Sequence, residues 1–293
     1  VLGLGHGDWA LSDLSRWGLS RWVSGDIGVE GLNKLVQNDV PSSVVHCGGS
    51  GAVSFSFSNP IEDFQRAAET TAVVLDWIRL RCPKACRFVL VSSAAVYGDQ
   101  GDTDFSESSV RLPVSPYGVH KLTAEILCES YSRFFGVSSS IVRLFSIYGE
   151  GLKKQLFWDA IIKFRNGKSQ FFGTGNELRD WLHVEDAARL LALASLKQQS
   201  IFEVYNGGGE HATVKSVVGE LAKVVGHEGE MTFDNKNHQG NPHRLTSNSS
   251  HAAEVLGWKP EINLLDGVLR YGLWTLGCVE SINSDGTKGI GLK

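Results

Sequence analysis

Two kinds of apolar pattern take turns along the chain. Residues 88–91 form a short, continuous, β-branched run, the mark of a strand buried on both faces of a parallel sheet. Residues 43–46 and 140–145 read the same way. Elsewhere the spacing lengthens to that of helices. Leu32, Leu35 and Val36 share a face within 29–37, and Leu122, Ile126, Leu127, Tyr131, Phe134 and Phe135 share one after Tyr117. A third helix starts at Pro60, carries Phe64, Ala67, Ala68, Thr71, Val74, Leu75 and Ile78 on one face, and stops near Arg81, before Pro83. Strands and helices thus alternate, which predicts an α/β fold with a parallel sheet.

From about residue 150 the elements become smaller and mixed: a helix over 156–164, a short strand over 170–173, a helix over 184–196, a strand over 203–205, and a helix capped by Thr213 that runs to Val225. The expected division is therefore a first domain over 1–150, with 184–209 returning to it, and a smaller one over 151–183 and 210–280. The polar, glycine-bearing tail over 281–293 is expected to fray.

Composition narrows the possibilities. With 293 residues, 42% apolar, 20% charged and a net charge of -4, the chain has enough apolar material for a sizeable core and no basic excess that would suggest nucleic acid. No apolar run approaches the ~20 residues that span a bilayer, and no signal-peptide pattern opens the chain. The cysteines (Cys47, Cys82, Cys86, Cys128 and Cys278) are odd in number and scattered, and read as free thiols in a reducing, cytoplasmic setting. Cys82 and Cys86 have no second pair or histidine cluster beside them, so no metal is expected.

The chemistry-bearing residues gather around the central strand. It ends in the hydroxyls of Ser92 and Ser93, and the carboxyl ends of strands are where open α/β sheets bind ligands. Tyr117 and Lys121 are four apart, so on a helix they face the same way. A phenol titrates near pH ~10, and a nearby ammonium draws that value down. Lys121 is placed to be that cation.

Ser93 with Tyr117-x-x-x-Lys121 resembles the Ser-Tyr-Lys triad of the short-chain dehydrogenase/reductases, and Ser-Ser-Ala-Ala-Val-Tyr-Gly resembles the extended branch that acts on nucleotide sugars. The resemblance implies a Rossmann-like, doubly wound parallel sheet with a smaller mixed α/β substrate domain. It implies Ser93, Tyr117 and Lys121 as catalytic residues and NAD as cofactor, with NADP also open. Residues 21–23 followed by Gly25-Asp26-Ile27 look like the family's third strand, which puts 1–5 on the second. The first strand and its glycine loop are then expected upstream of residue 1, because 8–26 leave no room for a helix, a second strand and the linker to a third. His6 and Asp8 fall where the adenosine ribose is read, and Asp26 and Ile27 join the cofactor set.

The run His46-Cys47-Gly48-Gly49 resembles the family's His-Leu-Ala-Ala, so Cys47, Gly48 and Gly49 are expected against the dinucleotide and His46 is expected to be structural. Ser92 joins the substrate set. Ser146 stands where the family has an asparagine on the diphosphate side. Gly173 to Asp186 is similar to the family's Gly-x-Gly-x-x-x-Arg-Asp-Phe-x-His-Val-x-Asp. That similarity implies Arg179 on the pyrophosphate, where a planar guanidinium makes two parallel bonds, unless Arg179 pairs with Asp180 or Asp186 instead. Phe172 covers the base or is core, and Arg244 is a second phosphate candidate.

Ala94 and Ala95 stand where sugar 4,6-dehydratases carry an acid and a base. The readings that remain are a nucleotide-sugar 4-epimerase, an NADPH-dependent 4-keto-sugar reductase, and a non-catalytic nucleotide-binding relative. Two helices of the family form a dimer bundle, so the resemblance also implies a homodimer, acting on a nucleotide-diphosphate sugar.

Overall fold

The computed structural model describes residues 1–7, 9–82, 85–197 and 199–284. The chain opens with β1 (Leu2–Gly5), α1 (Leu11–Arg16), β2 (Arg21–Ser24), α2 (Val29–Val36) and β3 (Ser43–His46). After α3 (Val53–Ser58), α4 (Pro60–Phe64) passes through a π-helical turn at Gln65–Glu69 into α5 (Thr70–Arg81). Next come β4 (Arg87–Ser93), a long loop, α6 (Pro116–Phe135), β5 (Ser138–Leu144) and β6 (Ser146–Tyr148). Shorter elements follow: α7 (Gln155–Arg165), β7 (Gln170–Phe171), β8 (Leu178–His183), α8 (Val184–Leu196), β9 (Phe202–Gly207) and β10 (Glu210–Thr213). The chain closes with α9 (Val214–Val224), β11 (Thr232–Phe233), β12 (Arg244–Leu245), α10 (Ser250–Leu256) and α11 (Leu264–Ser284).

Strands β3, β4, β5 and β9 lie side by side in that order, and every pairing is parallel. The period-2 alternation of β4 explains why both faces carry helices. Phe88 and Leu90 enter one core with Val74, Leu75 and Ile78 of α5 and Ala124 and Cys128 of α6. Val89 enters another with Leu190 and Ala194 of α8 and Leu256 of α10. The α/β, Rossmann-like, doubly wound arrangement expected from the sequence is present. Strands β1 and β2 pair in parallel as a separate two-stranded sheet.

A second group of elements is built around β8, which β10 flanks antiparallel and which β6 and β12 pair in parallel. Its own core joins Tyr148, Phe157, Phe164, Trp181, Leu221 and Tyr271. Among the described residues no helix is long and apolar enough to cross a membrane.

Two expectations are corrected here. The apolar face predicted for 60–81 holds from Ala67 onward, but Phe64 is exposed and Asp63 is buried in its place. The π-helical turn inserts extra backbone into the helix and rotates α4 relative to α5, which regular 3.6-residue spacing does not anticipate. The tail expected to fray from Ser281 is still helical through Ser284, continuing α11, whose Val268 and Tyr271 are buried. Residues 285–293, Asp8 and the side chain of Cys278 lie outside the described residues. Cys47, Cys82, Cys86 and Cys128 are free thiols.

Candidate active site

The site starts from two capped turns. At the end of β4 the Ser93 hydroxyl accepts a hydrogen bond from the Ala95 amide at 3.2 Å, which sets the 3-10 turn over Ala94–Val96. At the start of α6 the Ser115 hydroxyl accepts from the Gly118 amide at 3.1 Å, and Pro116 fills the first helical position. A β-carbon at Gly118 would lie 2.5 Å from the Ala95 carbonyl oxygen, so only glycine lets the helix start approach the β4 turn this closely. The approach brings the Tyr117 side chain and Ser93 to the same cavity, close enough for Ser93 to act on the phenol.

Lys121, one helical turn on, is buried and donates to the carbonyls of Val91 at 2.9 Å and Gly48 at 3.1 Å. Burial lowers its pKa to about 8, against the opposing pull of Cys47, Asp63 and Glu125. The expectation that Lys121 draws the phenol's pKa down is not met. Burial pushes the Tyr117 phenol above its ordinary value, Asp63 adds to that, and the opposing hydrogen bond comes from Ser93. The Lys121 ammonium is directed to the Val91 and Gly48 carbonyls instead.

Lys121 thereby ties the catalytic-helix candidate to the loop that follows β3. A β-carbon at Gly48 would meet the His46 ring at 2.5 Å and Ile27 at 3.2 Å, and one at Gly49 would meet the Lys121 amine at 3.0 Å. Ile27, Gly48, Gly49 and Lys121 are therefore neighbours, and Cys47 is close enough to act electrostatically on Lys121. Asp26, next to Ile27 in the chain, is exposed and faces His6 at 3.0 Å. His46 is buried, shares a hydrogen bond with Thr70 at 3.2 Å and has its pKa lowered to about 4 by burial and by Lys121, which keeps it neutral and structural.

A cavity of about 490 Å³ extends from this point. Ser92, Ser93 and Tyr117 line one end, Phe172 and Arg179 the other, and Ser146 lies on the wall between. The assignment of Ser92 to substrate is corrected. Its hydroxyl donates to Glu125 at 2.6 Å, away from any ligand and into a buried network. In that network Arg143 holds both Glu125 oxygens and donates to the Tyr97 hydroxyl, which donates in turn to Asn206. The Glu107 carboxylate accepts from the Asn206 amide and its carbonyl accepts from Arg143, so strand ends, α6 and the loop after β4 are joined beneath the cavity.

Arg179 is buried and pairs with neither Asp180 nor Asp186. Asp180 accepts from Ser247 and from the Gly209 amide, and Asp186 from Arg189 and the Glu261 and Ile262 amides. The guanidinium donates instead to the carbonyls of Leu178, Pro242 and His243 and to Asn241. Burial lowers its pKa to about 10, against Glu177 and Asp99, a range in which it stays cationic. Phe172 is 73% exposed at the cavity mouth, with the His238 ring 5.1 Å away, so the core alternative for it falls.

Arg244 is not brought to the cavity. It pairs with Asp104 at 2.6 Å and donates to Thr246, because the loop after β4 bridges onto this segment at Phe105 and Ser247 and delivers a carboxylate first.

The sequence reading missed three groups. Gln155 lines the cavity at a positive φ of 67° and donates to the Gly51 carbonyl. Glu125 and Arg143 were also missed, although Glu125 follows Lys121 at helical spacing. The third is Asp63, fully buried, which accepts from Ser50 and meets His120. A histidine three residues after Tyr117 was the available signal.

The chain is similar to known proteins over most of its length. The family model described as GDP-mannose 4,6 dehydratase matches residues 17–270. The chain is similar to a UDP-glucuronate 4-epimerase of Thermodesulfobacterium geofontis, 26% identical over 281 residues, covering 94% of this chain and 85% of the relative. It is 30% identical over 292 residues to a UDP-glucose 4-epimerase of Azospirillum brasilense, covering 91% and 82%. Among solved structures it is similar to a UDP-glucuronic acid 4-epimerase from Bacillus cereus in complex with UDP-glucuronic acid and NAD, with a TM-score of 0.81, 26% identity, and coverage of 91% of this chain and 86% of that one.

Proposed function

The chain belongs to the GDP-mannose 4,6 dehydratase family, within the NAD-dependent epimerase/dehydratase branch of the extended short-chain dehydrogenase/reductases, and from that premise we propose that it is a nucleotide-sugar 4-epimerase. The observation that carries the reading is Tyr117 beside Ser93 in a cavity that Ala94 and Ala95 also line. Two methyl groups replace the acid and base a dehydratase needs, while the proton carrier for oxidation and reduction at one carbon is present.

The cofactor class fits these residues. Gly48 and Gly49 let the loop after β3 pack against His46, Ile27 and the Lys121 amine, where added β-carbons would collide, and Lys121 stands beside that loop to hold a ribose. NAD bound there would supply a hydride acceptor and donor beside the sugar. Tyr117 carries the proton between its phenol oxygen and the sugar 4-oxygen, and Ser93 hydrogen-bonds that same oxygen. Arg179, charged and without a carboxylate partner among the described residues, is the group for the diphosphate. Phe172 covers the nucleotide base from the rim.

The separate core around β8 supports a division of labour, with 1–150 and 184–209 for the cofactor and 151–183 and 210–280 for the substrate, although α10 of the latter range packs Ala252 and Leu256 against the β4 face. Exposed Ile61 on α4 and Val119, Ile126 and Phe134 on α6 form an apolar face suited to a second copy, which supports a homodimer.

The test is an assay of UDP-glucose and UDP-galactose with NAD. Interconversion without net change in NADH is the expected result. Stoichiometric loss of NADPH on a nucleotide 4-keto-sugar would replace the epimerase with a reductase, and no binding of either dinucleotide would leave a non-catalytic relative.

A further inference from the structure

The strongest unused feature is the carboxylate of Asp63. It is 0% exposed and joins three elements. Ser50, in the loop beside Gly48 and Gly49, donates to one oxygen, and His120 of α6 shares a hydrogen bond with the other. The edge of the Phe64 ring closes over His120 at 5.6 Å between centroids. This is not a nucleophile in disguise, because serine and histidine both bond the carboxylate and not each other. It is reached through the π-helical turn, a feature frequent at functional sites, since that turn is what rotates Asp63 inward.

Resting on the reading of Lys121 and Tyr117 as the cofactor-facing and proton-carrying groups, we infer that Asp63 is a positioning residue of this site, tethering the cofactor loop to α6 through Ser50 and His120 and holding a negative charge behind Lys121. The geometry supplies the tether, and the charge follows from placing a buried carboxylate beside α6. The tether spans the same two elements that the Lys121 bond to the Gly48 carbonyl spans, so loop and helix are clamped at two points. The charge acts on a lysine whose cationic form burial disfavours, and Asp63 opposes that pull. Other groups facing Lys121 are Glu125 from its own helix and Cys47 and His46 from the end of β3, of which Cys47 and Glu125 act in the same direction as Asp63. Arg66, one helical turn beyond Asp63, is paired with Glu62 on the surface.

The sign is fixed. Removing a negative charge lowers the lysine's pKa, so the cation is lost at a lower pH. NADH titrated fluorimetrically into the full chain from about pH 6 to about pH 10 reads the midpoint above which affinity falls, with no turnover needed. For Asp63→Asn the expected midpoint drops by about one pH unit. Asp63→Glu, which keeps the charge, is expected to restore it. Ser50→Ala cuts the tether and leaves the charge, so NADH affinity should weaken about 3- to 10-fold with the midpoint in place. Should Asp63→Asn not fold by circular dichroism, the double change Asp63→Ser with His120→Asn makes a neutral pair and is expected to show the same lowered midpoint. A midpoint unmoved in the folded charge-removing variant overturns the inference, as does unchanged affinity in Ser50→Ala. No NADH binding by the unsubstituted chain at any pH would instead overturn the reading of the site, and the inference with it.

Discussion

The two ends of the cavity are assembled in different ways. At the end that carries Tyr117, the turns that present each group are set by near neighbours in sequence, although the Lys121 ammonium itself reaches carbonyls 30 and 73 positions earlier. Ser93 caps the turn that follows it, Ser115 caps the helix, and Lys121 follows Tyr117 by one turn. At the other end Arg179 is held by residues 62 to 64 positions later, and Arg244 is claimed by a carboxylate 140 positions earlier. Chemistry written in local spacing can be read from a chain, whereas recognition that depends on which distant partner arrives first cannot.

Four experiments break or sharpen that comparison. The largest effect is expected for Tyr117→Phe, which removes the proton carrier. Turnover should fall roughly 10²- to 10⁴-fold while NADH binding measured by fluorescence stays nearly constant, and undiminished turnover would take Tyr117 out of the mechanism. Glu125→Ala comes next, because it strands Arg143 and frees Ser92 in the interior. A loss of about 3–5 kcal/mol in urea unfolding is expected, and a loss below about 1 kcal/mol would show that the network is not what joins strand and helix.

At the far end the effects should be smaller and should separate the two arginines. Arg179→Ala is expected to raise the KM for nucleotide sugar roughly 10- to 100-fold with a lesser change in kcat. An unchanged KM would mean that the guanidinium serves only the carbonyls around it. Arg244→Ala should leave KM within about 2-fold and cost about 1 kcal/mol or less, as expected of a partly exposed ion pair. A large KM effect there would restore Arg244 to the substrate set.

Much of the fold was legible. The alternation of Phe88, Val89 and Leu90 between two cores is what a continuous apolar run implies for a sheet covered on both faces. The Ser93, Tyr117 and Lys121 constellation was legible too, because a strand end and a four-residue helical spacing are local facts. What escaped was every feature set by a departure from regular geometry or by a remote partner. The π-helical turn exchanged Phe64 for Asp63, the Val91 and Gly48 carbonyls took the Lys121 ammonium away from the phenol, and Glu125 turned the Ser92 hydroxyl inward.

The arginine–glutamate web below the cavity has one more consequence. A ketone that accepts hydride on the face opposite to the one that gave it up must turn over between the two events, and a foundation cross-linked through Arg143 from strand to helix to loop cannot turn in its stead. On the epimerase proposal the swivel then belongs to the ligand's own linkage between sugar and diphosphate. Headroom above that foundation then decides which sugars can complete the somersault, so bulk added to the wall at Ser146 should slow large sugars before small ones.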